Sequence, residues 1–315
     1  MEKWTTELIG SHIGKTALIT QGCEGIGLEV ARELARHGMR VIICSEDAVQ
    51  GETALRDIRS SMYGAVVIFE PVNLNDLESV KHLADKILAE YDQLDLLINN
   101  ADFMAPALKV NSVQGHELVF AKNYLSHFSL TARLFPILLV AGDGRIIFQS
   151  SQEHHKGVID FFDLNGALYY EPHKAYAQSK LAMLTFAKEL DRRLRLTQID
   201  LKSIPVHAGG FHTPFLSKFL NYALGQTPLQ GALPILFAAT SQDARGGHYY
   251  GPDGFKGAWG DPSELECADV AKNIQVANKL WEVSEGITGL DFPVRDYRNV
   301  LPFQNRDHFR PGHFI

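Results

Sequence analysis

The chain is poor in cysteine, with three in 315 residues: Cys23, Cys44 and Cys267. Three thiols cannot close a paired disulfide framework, and their positions show no metal-ligand spacing. Reduced thiols in a reducing, cytoplasmic setting are the expectation, with no metal. Basic charge is also short. Lys and Arg number 30 against 37 Asp and Glu, a formal net charge of −7. Nothing here neutralises a phosphate backbone, so nucleic acid is not an expected partner. Apolar runs such as Ile137–Ala141 are far too short to span a bilayer. The first residues include Glu2, Lys3, Trp4 and Glu7 and no apolar stretch, so neither a signal peptide nor a membrane anchor is expected. Linkers, internal repeats and low-complexity tracts are lacking too, which predicts one domain over 1–315, with a core over 15–294 and a tail over 295–315.

What is present is a globular composition, 45% hydrophobic and 21% charged, enough to bury a large core. Short apolar runs alternate with amphipathic ones. Strands are expected at Thr16–Thr20, Val41–Cys44, Ala65–Phe69, Leu94–Ile98, Arg145–Phe148 and Leu201–Val206, with a short one at His248–Tyr250. Helical periodicity falls at Gly25–Arg36, Gly51–Ser60, Leu77–Tyr91, Gly115–Val140, Lys174–Leu196 and Ala268–Leu280. Continuous apolar strands separated by helices imply a parallel sheet covered on both faces. Right-handed crossovers make it an α/β fold: a single Rossmann-type doubly wound sheet.

Between the first strand and its helix stands Thr20-Gln21-Gly22-Cys23-Glu24-Gly25-Ile26-Gly27. Such a turn lets the backbone approach a pyrophosphate, and the helix N-terminus offers N–H donors and positive partial charge. Further along, Tyr176 and Lys180 are four apart on a helix and share a face. A phenol near its usual pKa of about 10 exchanges protons poorly at neutral pH; a neighbouring ammonium is expected to lower that value and make a general acid and base. Ser151 closes the fifth strand, on the side where a parallel sheet binds ligands, and a hydroxyl there can hold a substrate oxygen. His154 and His155 are adjacent and read as structural rather than as metal ligands.

From about Thr5 to Val294 the chain resembles the short-chain dehydrogenase/reductases, and within them the retinol-dehydrogenase-like group. The resemblance rests on the glycine-rich turn, Asn99-Asn100-Ala101 after the fourth strand, Asn123-Tyr124-Leu125-Ser126-His127-Phe128, Ser150-Ser151, Tyr176-x-x-x-Lys180, and Val206-His207-Ala208-Gly209. It implies an oxidoreductase that passes a hydride between a nicotinamide dinucleotide and a carbonyl or alcohol, with Asn123, Ser151, Tyr176 and Lys180 as a catalytic tetrad. It also implies cofactor contacts from Thr20, Gln21, Gly22, Glu24, Gly25, Ile26 and Gly27, from Ser45, Glu46, Asn73, Leu74, Asn100 and Ala101, and from Tyr176, Lys180, Gly209 and Thr213. Phe211, Phe215, Leu216, Phe219, Leu220 and Tyr222 fall in the family's substrate loop, near 211–230, which implies a lipophilic small molecule. Homodimers or homotetramers are implied as well.

Five positions depart from the family's pattern: Gln21 and Asp102 stand where glycines are usual, Glu46 for an arginine, Asn73 for an aspartate and Ala208 for a proline. Glu46 comes directly after the second strand, where a carboxylate accepts from a ribose 2′-OH and repels a 2′-phosphate, so NAD(H) is expected over NADP(H). An altered cofactor shell around an intact tetrad leaves a second reading open, a binding or regulatory protein or a redox-neutral catalyst on the same fold. The tail residues Phe303, Phe309 and Phe314 are expected in a surface arm.

Overall fold

The computed structural model describes residues 3–210, 227–254 and 257–295. Thr213, the aromatic run from Phe211 to Tyr222 and the three tail phenylalanines lie outside the described residues. The chain runs β1 (Thr16–Thr20), α1 (Gly25–Arg36), β2 (Arg40–Ser45), α2 (Ala48–Ser61), β3 (Val67–Pro71), α3 (Leu77–Glu90) and β4 (Leu96–Asn99). It continues with α4 (Leu118–Phe120), a π-helical segment (Ala121–Leu125), α5 (Ser126–Leu139), β5 (Gly144–Ser150), α6 (Pro172–Thr197) and β6 (Leu201–His207). Then come α7 (Pro228–Thr240), β7 (Tyr250–Pro252), β8 (Pro262–Glu264) and α8 (Ile274–Thr288).

One sheet takes all the strands in the order β3-β2-β1-β4-β5-β6-β7-β8. Every pairing is parallel except β7 with β8, which is antiparallel. The chain therefore winds outward from β1 in both directions. Alternate strand residues feed the two faces. Leu18, Ile42, Leu97 and Ile146 point into the layer of α3, α5, α6 and α8. Ala17, Ile19, Val41, Ile43, Leu96 and Ile98 point into the layer of α1, α2 and α7. Both faces are apolar, which is why these strands read as unbroken hydrophobic runs.

Local chemistry sets the helix ends. Asp47 caps α2, its carboxylate accepting from the N–H groups of Val49 and Gln50. Asp76 does the same for α3, and Thr227 with Gln230 forms a capping box on α7. Several expectations differ from the structure, among them the short strand, which is Tyr250–Pro252 rather than His248–Tyr250, and the second helix, which begins at Ala48. β3 begins at Val67, because Ala65 N–H closes a turn onto the Met62 carbonyl. The expected helix over 115–140 is interrupted by the π segment. The one expected at Ala268–Leu280 is a 3-10 turn, Asp269–Lys272, succeeded by α8, which Asn273 caps. Neither α7, with prolines at 228 and 234, nor the three-residue β8 carries a pattern that periodicity detects.

Among the described residues, no helix is long and apolar enough to cross a membrane. An aromatic cluster locks α5, α6 and α8 together. Phe186 lies 5.0 Å from Phe128, 5.4 Å from Trp281 and 5.3 Å from Phe148, ring centre to ring centre. Phe186→Ala is expected to cost about 3–5 kcal/mol through lost burial and the cavity left behind. Urea unfolding measures it, and a loss under about 1 kcal/mol would mean that this cluster does not hold the layer.

Candidate active site

The strand order reverses between β1 and β4, which opens a crevice at their C-terminal ends. Thr20 closes β1 there. Its hydroxyl oxygen accepts from the backbone N–H of Asn100 at 2.9 Å and of Ala101 at 3.0 Å. His127 Nε2 lies 3.0 Å from the same oxygen, and its Nδ1 lies 2.9 Å from the Asn123 carbonyl. A carbonyl can only accept, so Nδ1 carries the proton and Nε2 takes the threonine's. Burial holds the imidazole neutral, pushing its pKa down to about 4.

The turn after β1 is built by close approach. A Cβ on Gly27 would collide with the Gln21 carbonyl oxygen and come within 2.7 Å of Asn100 Nδ2. Asn100 spends that amide on the carbonyls of Thr20 and Gln21, at 3.0 and 3.2 Å. Gln21 sits in the left-handed region, φ 51°, where a glycine is normally needed. Its side chain compensates. Oε1 accepts from Asp102 N–H at 3.1 Å, and Nε2 donates to Glu24, which also receives Gln50. Glu24 precedes the first turn of α1.

A cavity of about 170 Å³ runs from this turn past the end of β2 to the π segment. Of the residues expected to bind cofactor, Gln21, Glu24, Ser45, Glu46, Leu74 and Ala101 line it. Thr20, Gly22, Gly25, Ile26, Gly27 and Asn100 shape the turn behind it. Asn73 is not in the lining: its side chain accepts from Asn75 N–H, and its neighbours Val72 and Leu74 face the cavity instead. Gly209, just past β6, has φ 96°. Carboxylates dominate the walls, with Glu24, Glu46, Asp47 and Asp102 against Lys122. Lys122 is itself 3.9 Å from Glu46 and lies over the Phe103 ring.

Of the four expected catalytic residues only Asn123 lines this cavity; Tyr176 and Lys180 meet it through Asp102, and Ser151 lies beyond the lining. Asn123 lies in the π segment. Its Oδ1 accepts from Phe103 N–H at 2.8 Å, and its Nδ2 donates to the Phe103 carbonyl and to Ser179 Oγ. The extra residue of a π turn is what points this amide at the loop after β4. Ser151 comes directly after β5 and caps a 3-10 turn. Its carbonyl is held by His154 Nδ1 at 2.6 Å, and His154 Nε2 accepts from Ala268 N–H, so both histidine nitrogens are structural. The Ser151 hydroxyl oxygen accepts from Glu153 N–H at 3.3 Å and lies near enough to Tyr176 to act on its titration. Lys180 is fully buried one helical turn on, its Nζ 5.5 Å from the centre of the Tyr176 ring.

Asp102 is a site member that the sequence marks only as a departure from the family's glycine. Its Oδ1 is paired with Lys180 Nζ at 2.9 Å, and its Oδ2 accepts the Tyr176 hydroxyl at 3.0 Å. The signal for that role is its place directly after Asn100-Ala101 at the end of β4. The expectation that Lys180 lowers the tyrosine's pKa is corrected by this carboxylate. Burial, then the charge of Asp102, raise Tyr176 well above the ordinary phenol value, and the nearby Ser151 hydroxyl opposes them. Among the described residues no cluster of His, Cys, Asp or Glu could hold a metal ion.

Comparison with known proteins bears on the family and the fold. The family described as short chain dehydrogenase matches residues 15–221. Retinol dehydrogenase 14 of Mus musculus is 33% identical over 302 residues, covering 88% of this chain and 86% of its own. Retinol dehydrogenase 12 of Bos taurus is 35% identical over 288 residues, with coverage of 88% and 87%. A solved but uncharacterised protein from Mycobacterium paratuberculosis superposes with a TM-score of 0.80 at 35% identity, over 92% of this chain and 99% of its own. An NADP complex of RhlG from Pseudomonas aeruginosa superposes with a TM-score of 0.61 at 25% identity, over 76% and 94%.

The bond between Gln21 and Asp102 is open to measurement. Gln21→Gly relieves roughly 1 kcal/mol of backbone strain and forfeits a hydrogen bond of similar worth, so stability stays within about 1 kcal/mol, whereas Gln21→Ala keeps the strain and loses about 1 kcal/mol. Urea midpoints separate these cases: a Gln21→Ala midpoint equal to wild type would remove the Asp102 tether, and equal midpoints for the two variants would remove the strain. Acid titration addresses the buried imidazoles. His127, His154 and His207 are each pushed down to about 4, with burial the main cause, from an ordinary value of 6.5. Unfolded chains take up these protons first. Stability is therefore level above pH 6.5 and falls toward pH 4, by up to about 1.4 kcal/mol per pH unit per histidine. A urea midpoint that stays flat as the pH falls from 6.5 toward about 5 would contradict it.

Proposed function

We propose, from the premise that this chain belongs to the short-chain dehydrogenases and is a nicotinamide-dependent oxidoreductase acting on alcohols, that it interconverts a carbonyl and an alcohol with Tyr176 as the general acid and base. The observation that supports this most is the meeting of Ser151, Tyr176 and Lys180, braced by Asn123, beside a cavity that opens on the glycine-rich turn.

The residues present fit a dinucleotide. The bare Cα of Gly27, beside Gly22, Gly25 and Ile26 at the N-terminus of α1, suits a pyrophosphate. Ser45, Glu46, Leu74 and Ala101 would receive the adenosine half, with Asn100 and Gly209 nearer the other end. When bound, the dinucleotide supplies or takes up the hydride at the substrate carbon. Everything else is the protein's work. The Ser151 hydroxyl holds the substrate oxygen beside Tyr176. Tyr176 passes its proton to that oxygen in reduction and takes one from it in oxidation. Lys180, anchored on the Gln149 carbonyl at 3.3 Å, places positive charge next to the phenol. Asn123 fixes the loop that carries Asp102.

The preferred cofactor in this reading is NAD(H). Glu24, Glu46 and Asp47 already crowd the wall, and Lys122 is engaged with Glu46, so a 2′-phosphate would add charge of the wrong sign. A lipophilic carbonyl or alcohol is the proposed substrate, supported by relatives whose names say that they act on retinol.

Calorimetric titration with NADH and NADPH tests the cofactor. Tight binding of NADH over NADPH is expected, and Glu46→Arg should reverse the preference; no change would remove Glu46 from the specificity. Tyr176→Phe should lower kcat by at least about 100-fold with NADH affinity nearly intact. Turnover retained in that variant would overturn the mechanism, and failure of both dinucleotides to bind would favour the redox-neutral or regulatory reading.

A further inference from the structure

We infer that Asp102 is a positioning residue that fixes the Tyr176 hydroxyl as a proton donor and so favours the reductive direction, carbonyl to alcohol. The inference of direction rests on the oxidoreductase reading; the geometry of the carboxylate does not. Asp102 Oδ2 is 3.0 Å from the Tyr176 hydroxyl, and a carboxylate can only accept there. Its Oδ1 pairs with Lys180 at 2.9 Å. The ammonium that would stabilise a phenolate is therefore already matched by a negative charge, and the phenol itself faces the other oxygen of that same carboxylate.

The carboxylate is held in place from several sides. Its own N–H donates to Gln21 Oε1, and the next residue, Phe103, is clamped through both backbone groups by Asn123. Gln21 stands in the left-handed region that favours glycine. The two unusual residues, Gln21 and Asp102, thus bond to each other, which gives one structural reason for both. Other titratable groups do not reverse the balance. Glu153, from the turn after β5, raises Tyr176 further. His127 from α5 and His207 at the end of β6 face Asp102 and Lys180, and burial keeps both neutral. Lys122 pairs with Glu46.

In reduction, hydride from the reduced dinucleotide adds to the carbonyl carbon and the Tyr176 proton adds to the carbonyl oxygen. The substrate gains two electrons, the dinucleotide loses them, and the phenolate left behind regains a proton from solvent. A high-pKa phenol stays loaded for this step across the neutral range. Oxidation needs the phenolate first, so its rate must climb with pH until Tyr176 titrates.

The test combines a spectroscopic and a kinetic measurement on wild type, Asp102→Asn, Asp102→Gly and Asp102→Glu. In the ligand-free protein, phenolate absorbance is monitored against pH, and each protein's Tyr176→Phe counterpart is subtracted to isolate that one ring. Removing the charge with Asn or Gly should lower the onset of Tyr176 ionisation by about one pH unit or more, and Glu should restore it. If wild-type Tyr176 does not ionise before alkaline unfolding, an onset in the Asn or Gly variant below that limit counts as the expected result. The same onset in all four, or none in any, overturns the inference. This readout needs no dinucleotide, so it stands apart from the oxidoreductase reading, which fails instead if neither NADH nor NADPH binds. With turnover, wild-type kcat/KM for oxidation should rise about ten-fold per pH unit to about pH 10 or beyond, while reduction stays level. In the Asn and Gly variants the oxidation limb should flatten at lower pH. An oxidation limb that is already flat near neutral pH in wild type would also overturn it.

Discussion

The hydroxyl of Thr20 is the joint on which the crevice depends. It receives two successive backbone N–H groups from the loop after β4 and gives its proton to His127, so one buried side chain ties β1, β4 and α5 at the point where the sheet changes direction. Four polar groups in a dry setting satisfy one another. The neighbouring segments inherit that geometry. Gln21 leaves β1 already bent, Asp102 leaves β4 already aimed at α6, and Asn123 has its carbonyl fixed by the same imidazole.

A buried cation needs a partner, and this fold supplies one from an unusual place. Lys180 is fully buried, and an uncompensated charge there would be costly. Asp102 answers it from a loop rather than from a neighbouring helix, and the Asp102 side chain is partly open to the cleft, with 30% of its surface exposed. The pairing thus sits at the boundary between core and cavity, where any molecule entering meets it. Electrostatics in this crevice is set by carboxylates from several elements, α1, the β2–α2 turn and the β4 loop, more than by the lysines that accompany them.

Most of the framework is legible in the residues alone. Strands buried on both faces announce themselves as apolar runs, and Gly25–Arg36 reads as a helix with the very limits it has. The proposed catalytic residues can be picked out by the family resemblance, and Ser151, Tyr176 and Lys180 stand at a strand end and a helix spacing that the topology brings near one another. The hidden part depends on contacts across long stretches of chain. Asp102 is visible as a substitution, but its partner Lys180 lies far along the chain, on α6, and no local rule joins them. Asn73 looks like a cofactor contact, yet its side-chain oxygen is taken by its own turn. The π segment changes a helix by one residue in a sequence whose hydrophobic pattern runs on almost undisturbed. α7 is concealed because proline at two positions reads as a break, although one stands in its first turn, where proline fits.

The His154 bridge bears on where this protein can be cut. The stretch that matches the family ends at residue 221, but the backbone of Ser151 is held by an imidazole whose other nitrogen is bound by Ala268 N–H. Trp281 and Phe292, from the same late part of the chain, fill the centre of the α5–α6 layer. A fragment trimmed to the matched segment would expose that layer and release one side of the serine's support. Family boundary and folding unit do not coincide here, and α8 belongs to the packed layer as fully as the helices of the matched segment.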